Sequence, residues 1–337
     1  MNTTHLGAQG PTVSIIGLGT MGMSDMYGPS DRSESIATIH AAIDQGITLF
    51  DTGDFYGMGH NEMLLGEARK GRRREQVQIS VKFGALRGPD RQWLGYDARP
   101  AAVRNYLAYT LQRLGVDYID IYRPARLDPA VPVEDTVGAI GELIKQGYVR
   151  HVGLSEVGAQ TMRRAQAAHP ICDLQIEYSL ISRGIEAEIL PTCRELGIAI
   201  TAYGVLSRGL ISGHWSKERN IGGDFRSRAP RFQGANLDAN LALVEKLRTI
   251  ADRLGVSVAQ VAIAWVNAQA TARKASIVPL IGARRRDRLT EALGALNVSL
   301  SADDLAEIER AVPPDAAAGA RYPEAQLAHM DSERPYK

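Results

Sequence analysis

Leu49-Phe50-Asp51-Thr52-Gly53-Asp54-Phe55-Tyr56-Gly57 and Ser80-Val81-Lys82-Phe83-Gly84 share one construction: an apolar run ends, and side chains capable of proton chemistry stand at its end. Short apolar runs of this kind, bounded by Gly, Ser or Asp, recur near Val13 to Gly17, Ile47 to Phe50, Val77 to Val81, Tyr118 to Tyr122, Val149 to Leu154, Asp173 to Ile176, Ile198 to Ala202 and Ser276 to Leu280. Each reads as a strand buried on both faces. Between them lie segments of helical period: Ile36, Ile39 and Ile43 share one face, as do Val103, Leu107, Leu111 and Leu114, and Val137, Ile140 and Ile144. Gly46, Gly115, Gly147 and Gly197 each follow such a segment and precede a strand, where a left-handed helix terminus is expected. Alternating strand and helix implies a parallel α/β sheet, and eight units favour the closed (β/α)8 TIM barrel over an open doubly wound sheet.

The 337 residues, 45% of them hydrophobic, suffice for a full core and are expected to form one domain, 1–337. Two segments lack the alternation. Residues 207–235, rich in Gly, Arg and Ser, are a candidate cofactor or substrate loop; the tail 313–337 reads equally as a lid or as a disordered end. A net charge of +1, from 39 basic and 38 acidic side chains, supplies no field to gather nucleic acid or an anionic membrane, so the expected partner is a small molecule. Cys172 and Cys193 are too few for a disulfide framework, and the start, Met1 to Gly10, has no apolar signal core. A cytoplasmic location is expected. His40, His60, His151, His169 and His214 are scattered without metal-ligand spacing, so no metal site is expected. Nothing in the sequence sets the oligomeric state.

A barrel of this kind carries its chemistry at the C-terminal ends of its strands. In order, those ends read Asp51, Lys82, Ala125, Ser155 with Glu156, Gln175, Tyr203 and Gly282. A tyrosine hydroxyl beside a carboxylate-anchored ammonium can have its phenolate form stabilised and its proton made available. Gly17-Leu18-Gly19-Thr20-Met21-Gly22 contains a Gly-x-Gly-x-x-Gly, but a lone match is weak and the segment precedes a loop rather than opening the helix of a dinucleotide-binding unit, so it reads as the turn of the first strand. After the eighth strand, Gly282-Ala283-Arg284-Arg285-Arg286-Asp287-Arg288-Leu289-Thr290-Glu291-Ala292 opens the last barrel helix. Free backbone N–H groups and guanidinium groups there suit a phosphate, although a run of arginines is by itself usually a solvated face.

These stretches, in this order, resemble the aldo-keto reductase family from about Val13 to about Val312, in particular its bacterial branch with the potassium-channel β-subunit-like and pyridoxal-reductase-like members. The resemblance implies an NADPH-dependent (NADP-linked) oxidoreductase acting on an aldehyde or ketone, or on the corresponding alcohol. It implies Tyr56 as general acid, with Lys82 lowering its pKa and Asp51 holding Lys82. Cofactor contacts are implied for Thr20 and Met21, for Ser155 and Gln175 at the nicotinamide carboxamide, and for Tyr203 stacking on the ring. Gly204, Leu206 and Arg208 follow in Ala202-Tyr203-Gly204-Val205-Leu206-Ser207-Arg208-Gly209, and Gly282, Arg284, Arg288 and Glu291 fall at the 2′-phosphate end.

Three departures stand out. The family's Tyr-x-x-His-Arg-x-Asp is here Tyr122-Arg123-Pro124-Ala125-Arg126-Leu127-Asp128, so its usual catalytic histidine is Ala125; Glu156 stands where Asn is more usual; and Ala292 replaces an Asn expected at the adenine. Ala125, Arg123 and Tyr322 are the residues expected to shape the substrate pocket, with Ala125 leaving room for a water or a bulkier substrate. The same missing histidine supports an alternative, a non-catalytic NADPH-binding regulatory or sensor protein.

Overall fold

The computed structural model describes residues 1–24, 26–219 and 221–333. Its centre is a closed barrel of eight parallel strands: β1 (Gly17–Gly19), β2 (Leu49–Gly53), β3 (Gln78–Phe83), β4 (Ile119–Pro124), β5 (Val149–Ser155), β6 (Ile171–Glu177), β7 (Ala199–Tyr203) and β8 (Ile277–Gly282). Each strand pairs with its neighbours in sequence, and β8 closes on β1 through Leu280 opposite Gly17. Helices cover the outside, among them α1 (Arg32–Asp44), α2 (His60–Ala68), α3 (Pro100–Leu114) and α4 (Val133–Lys145). The expected faces point inward: Ile39, Val103, Leu107, Leu114, Val137 and Ile140 are all buried. All four glycines expected at helix ends have positive φ, between 63° and 85°.

The first expected strand is not continuous. Thr12–Ser14 pairs antiparallel with Thr3–His5 in a hairpin under the barrel, and only Gly17–Gly19 joins the barrel itself. Ser14 breaks the run, because its backbone N–H donates to Thr48 Oγ1 at 2.8 Å and its hydroxyl to Ile16 O at 2.7 Å, where ladder bonds would otherwise form. Leu6 and Val13 of the hairpin then pack beneath Leu49, Ile121, Cys172, Ala199 and Val278 and seal that end. Among the described residues no single helix is long and apolar enough to cross a membrane.

The other end of the barrel is elaborated by loops. A second hairpin, Ala85–Arg87 with Trp93–Tyr96, follows β3 and had no counterpart in the sequence reading. Residues 207–235 form turns at Ser207–Gly209, Phe225–Arg228 and Pro230–Phe232 before a helix, Gly234–Leu254, begins inside the expected loop. The described part of the tail returns over the barrel mouth, where Asp331 accepts from Gly158 N at 2.8 Å; residues 334–337 of the expected tail lie outside the described residues.

Candidate active site

The C-terminal ends of the strands open into a cavity of about 900 Å³, within the range of small-molecule sites. At its floor Asp51, on β2, forms an ion pair with Lys82, on β3, and both are almost fully buried. The second carboxylate oxygen accepts from Ser80 Oγ at 2.9 Å and from Gln175 Nε2 at 2.7 Å, so Asp51 is held by three side chains from β3 and β6 and cannot turn away from Lys82. Tyr56 enters from the loop after β2, with its ring 5.1 Å from Lys82 Nζ and edge-on to Phe55 at 4.7 Å. The chain makes this approach through left-handed backbone at Gly57 (φ 56°) and Met58 (φ 54°). A side chain on Gly57 would also meet His60 Cβ and Ser24 Cβ at 3.1 Å.

Burial dominates the electrostatics of this group. Burial pushes the Tyr56 hydroxyl well above the usual tyrosine value, and Asp51 adds to the rise. Burial also lowers the Lys82 ammonium, against the pull of Asp51. What the geometry supplies near neutral pH is therefore a protonated phenol that can give a proton to an acceptor in the cavity.

Next to this group, Asp54 accepts from Gly84 N at 3.3 Å with one oxygen, and its other oxygen is buried without a partner among the described residues. Burial, reinforced by Glu62, pushes its carboxyl up to about 8. The folded protein then keeps a proton that the unfolded chain releases near pH 4, so this group lowers stability as pH rises from about 4 to about 8. Asp54→Asn is expected to raise Tm by a few degrees at pH 8 and little near pH 4. Thermal melts with parallel pH profiles for the two proteins would refute this.

A family model for the aldo/keto reductase family matches residues 15–313. The chain is 43% identical over 320 residues to "Probable aldo-keto reductase 1" from Glycine max, covering 94% of this chain and 90% of that protein. Among solved structures, the glycerol dehydrogenase AKR11B4 from Gluconobacter oxydans superposes with TM-score 0.81 at 25% identity, covering 99% of this chain and 97% of that one. The thermostable aldo-keto reductase Tm1743, in complex with the inhibitor epalrestat, gives 0.72 at 26% identity over 92% and 100%. The chain belongs to the aldo/keto reductase family.

Membership makes it an oxidoreductase of a family that acts on small carbonyl compounds with nicotinamide cofactors. Of the site residues read from sequence, Asp51, Tyr56, Lys82, Met21, Ser155, Gln175, Tyr203, Gly204, Leu206, Arg208, Gly282, Arg284, Arg288, Glu291, Ala125 and Tyr322 all line this aldo/keto reductase's cavity. Gly204 (φ 66°) lies so close to β6 that a side chain there would meet Glu177 Cγ at 3.0 Å.

Two of the expected residues do not line it. Thr20 is fully buried, its hydroxyl bonded to Asp51 O at 2.7 Å and to Asn61 Oδ1 at 2.5 Å, so it fixes the loop after β1 instead of facing a ligand. Arg123 is also fully buried, one layer down inside the barrel, where it donates to Asp173 Oδ2 at 2.8 Å and Ser80 Oγ at 2.9 Å. Alternate residues of a barrel strand project inward in layers, and the length of Arg123 carries its guanidinium below the mouth.

The sequence reading missed Arg126, which faces the cavity, and the aromatic wall of Trp93 and Tyr96 on the second hairpin. A Trp and a Tyr in the long β3–α3 connection were the available signal. It also missed what holds the tail. Arg321 pairs with Glu156 at 2.6 Å and with Glu177 at 3.4 Å, while Arg208 reaches Glu177 at 3.1 Å and Arg321 O at 2.8 Å. Tyr203 donates to Glu156 Oε1 at 2.6 Å and lies 2.9 Å from the Tyr322 hydroxyl. Burial disfavours the Glu156 charge, but Arg321 and its hydrogen bonds hold the carboxyl far below the usual range. No local pattern announces a contact between residues so far apart in the chain.

Proposed function

We propose that this protein is a cytoplasmic, NADPH-dependent reductase that converts an aldehyde or ketone to an alcohol, with Tyr56 as proton donor. The observation that carries this reading is the convergence of Asp51, Lys82 and Tyr56 on the floor of a cavity whose far side is lined by arginines. NADPH, when bound, supplies the hydride. Tyr56 gives its phenolic proton to the carbonyl oxygen as that oxygen gains charge, and the neighbouring ammonium of Lys82 offsets the charge left on the phenol. Asp51 positions Lys82, and Ser80 and Gln175 position Asp51.

The residues at the β8 end fit a phosphorylated nucleotide. Arg219, Arg284, Arg285 and Arg288 all line the cavity there, beside the N-terminus of helix Arg286–Gly294. Burial, and then the charge of Arg226, lowers both Arg219 and Arg284 below the usual guanidinium range. Such a crowd of like charges favours a polyanion. Replacing Arg284 and Arg288 together with Ala is expected to weaken NADPH by about 10- to 100-fold, from hydrogen bonds to charged groups worth about 1.5–3 kcal/mol, and NADH far less. Arg284 also donates to Tyr27 O at 3.1 Å and Pro29 O at 3.0 Å. Equal weakening of both cofactors in a fluorescence titration would mean that the arginines serve only to hold that loop.

The methyl group of Ala125 offers no hydrogen-bond donor at the end of β4, which is the observation favouring a non-catalytic NADPH sensor. Incubating the protein with NADPH and a panel of aldehydes and ketones, followed at the nicotinamide absorbance, decides between the two. Loss of absorbance supports the reductase, and cofactor binding without turnover on any substrate supports the sensor.

A further inference from the structure

Arg126 follows β4 and faces the cavity. Its Nη1 donates to Ala125 O at 2.6 Å and to Ser155 Oγ at 3.3 Å, which folds the guanidinium back across the ends of β4 and β5. Nη2 has only a 3.5 Å contact with the Tyr322 hydroxyl, and Nε meets no acceptor among the described residues. No carboxylate among them lies within ion-pair distance of Arg126, whereas Lys82 has Asp51, Arg208 has Glu177 and Arg321 has Glu156. Burial disfavours the charge on Arg126, but Tyr203, Tyr322 and the Glu156 carboxylate hold it above the usual guanidinium range. The nearby Glu156 carboxylate is in contact with Arg321, so Arg126 is an enclosed cation with no carboxylate of its own in contact among the described residues, and an anion placed on it would be stabilised.

The open edge, Nε with Nη2, has the geometry for gripping both oxygens of a carboxylate. Arg99, Arg164 and Arg285 use that same edge on Asp97, Glu134 and Asp287, at 2.6 to 2.9 Å. In the closed barrel β4 stands diametrically opposite β8, so Arg126 faces the phosphate-binding arginines across the mouth and is separate from them. The same cavity wall carries the aromatic rings of Phe55, Trp93, Tyr96 and Tyr322. We propose that Arg126 is a carboxylate-recognition site, and that the substrate is an aromatic aldehyde or ketone carrying an acid group, with the carboxylate on the Nε–Nη2 edge and the carbonyl at Tyr56. The substrate class rests on the reductase reading above; the anion site does not.

The test has two arms. In calorimetric titrations of the protein saturated with NADP⁺, benzoate is expected to bind about tenfold or more tighter than benzamide. Arg126→Met should erase that difference, and Arg126→Lys, which keeps the charge without the fork, should retain part of it. In the kinetic arm, kcat/KM for 4-carboxybenzaldehyde should exceed that for its neutral methyl ester by about tenfold or more, and the ratio should fall toward one in Arg126→Met through KM. Equal binding of benzoate and benzamide by the wild type, or a preference that survives in folded Arg126→Met, overturns the anion site. A wild-type kinetic ratio near one overturns the substrate class. If neither aldehyde is reduced while Arg126-dependent benzoate binding is present, the reductase reading fails and the anion site stands.

Discussion

Tyr56→Phe is expected to lower carbonyl reduction by about 10²- to 10⁴-fold, the range for loss of a positioned general acid, while NADPH affinity changes by less than about twofold. The substitution deletes one hydroxyl. The ring remains against Phe55 and beside Lys82, and the arginines at the β8 end are untouched. Because burial raises this phenol well above its usual value, the wild type keeps the proton throughout the neutral range, and its reduction rate should decline only in strongly alkaline solution. Single-turnover kinetics and a cofactor titration on the same preparation check both halves. A variant that retains most of its activity would remove Tyr56 from the mechanism, and one that loses cofactor binding would point to a structural defect.

The second large effect is expected at Arg321→Ala. Glu156 and Glu177 are nearly fully buried and both pair with this guanidinium, so its removal leaves carboxylates desolvated and under-compensated. Breaking such a pair costs about 3–5 kcal/mol, and an unfolding entropy of about 2.1 cal/mol/K per residue converts that to a fall in Tm of about 4–7 °C. Detachment of the tail limits the loss, since it admits water to both carboxylates. The amides of Gly158, which bonds Asp331, and of Ser332, which bonds Glu156 O at 3.3 Å, should then exchange faster. Glu156 is depressed in the folded state, so its stabilising contribution is present above the unfolded carboxylate value of about 4.3 and is lost as pH falls through its lower folded value. The gap between wild type and variant should accordingly be full at pH 7 and narrow only below about pH 4. A pH-independent gap, or an unchanged Tm and exchange rate, would show that the tail is held by its apolar contacts instead.

The barrel was legible in the sequence because its determinants are local. Each buried strand is a short apolar run, each covering helix repeats its apolar face every three or four residues, and the glycines at the helix ends mark where the chain must turn left-handed. The Asp51, Tyr56 and Lys82 group was legible for a related reason: a parallel barrel brings the C-terminal ends of all its strands to one mouth, so residues at those ends must meet. Ser14 escaped this reading because one side chain bonding to neighbouring backbone can end a strand that its apolar flanks would continue. Contacts between distant segments were settled only by tertiary packing. Whether Arg123 faced the mouth or the interior depended on which layer its long side chain could reach, and Asp173 and Ser80 decided it. The tail became a cover because Arg321, which it carries, pairs with the buried Glu156 and Glu177, alongside Arg208 and Arg231 at Glu177. The direction of the Tyr56 shift was set by burial and by the nearby Asp51 carboxylate, both of which depend on the assembled surroundings and not on the order of residues in the chain.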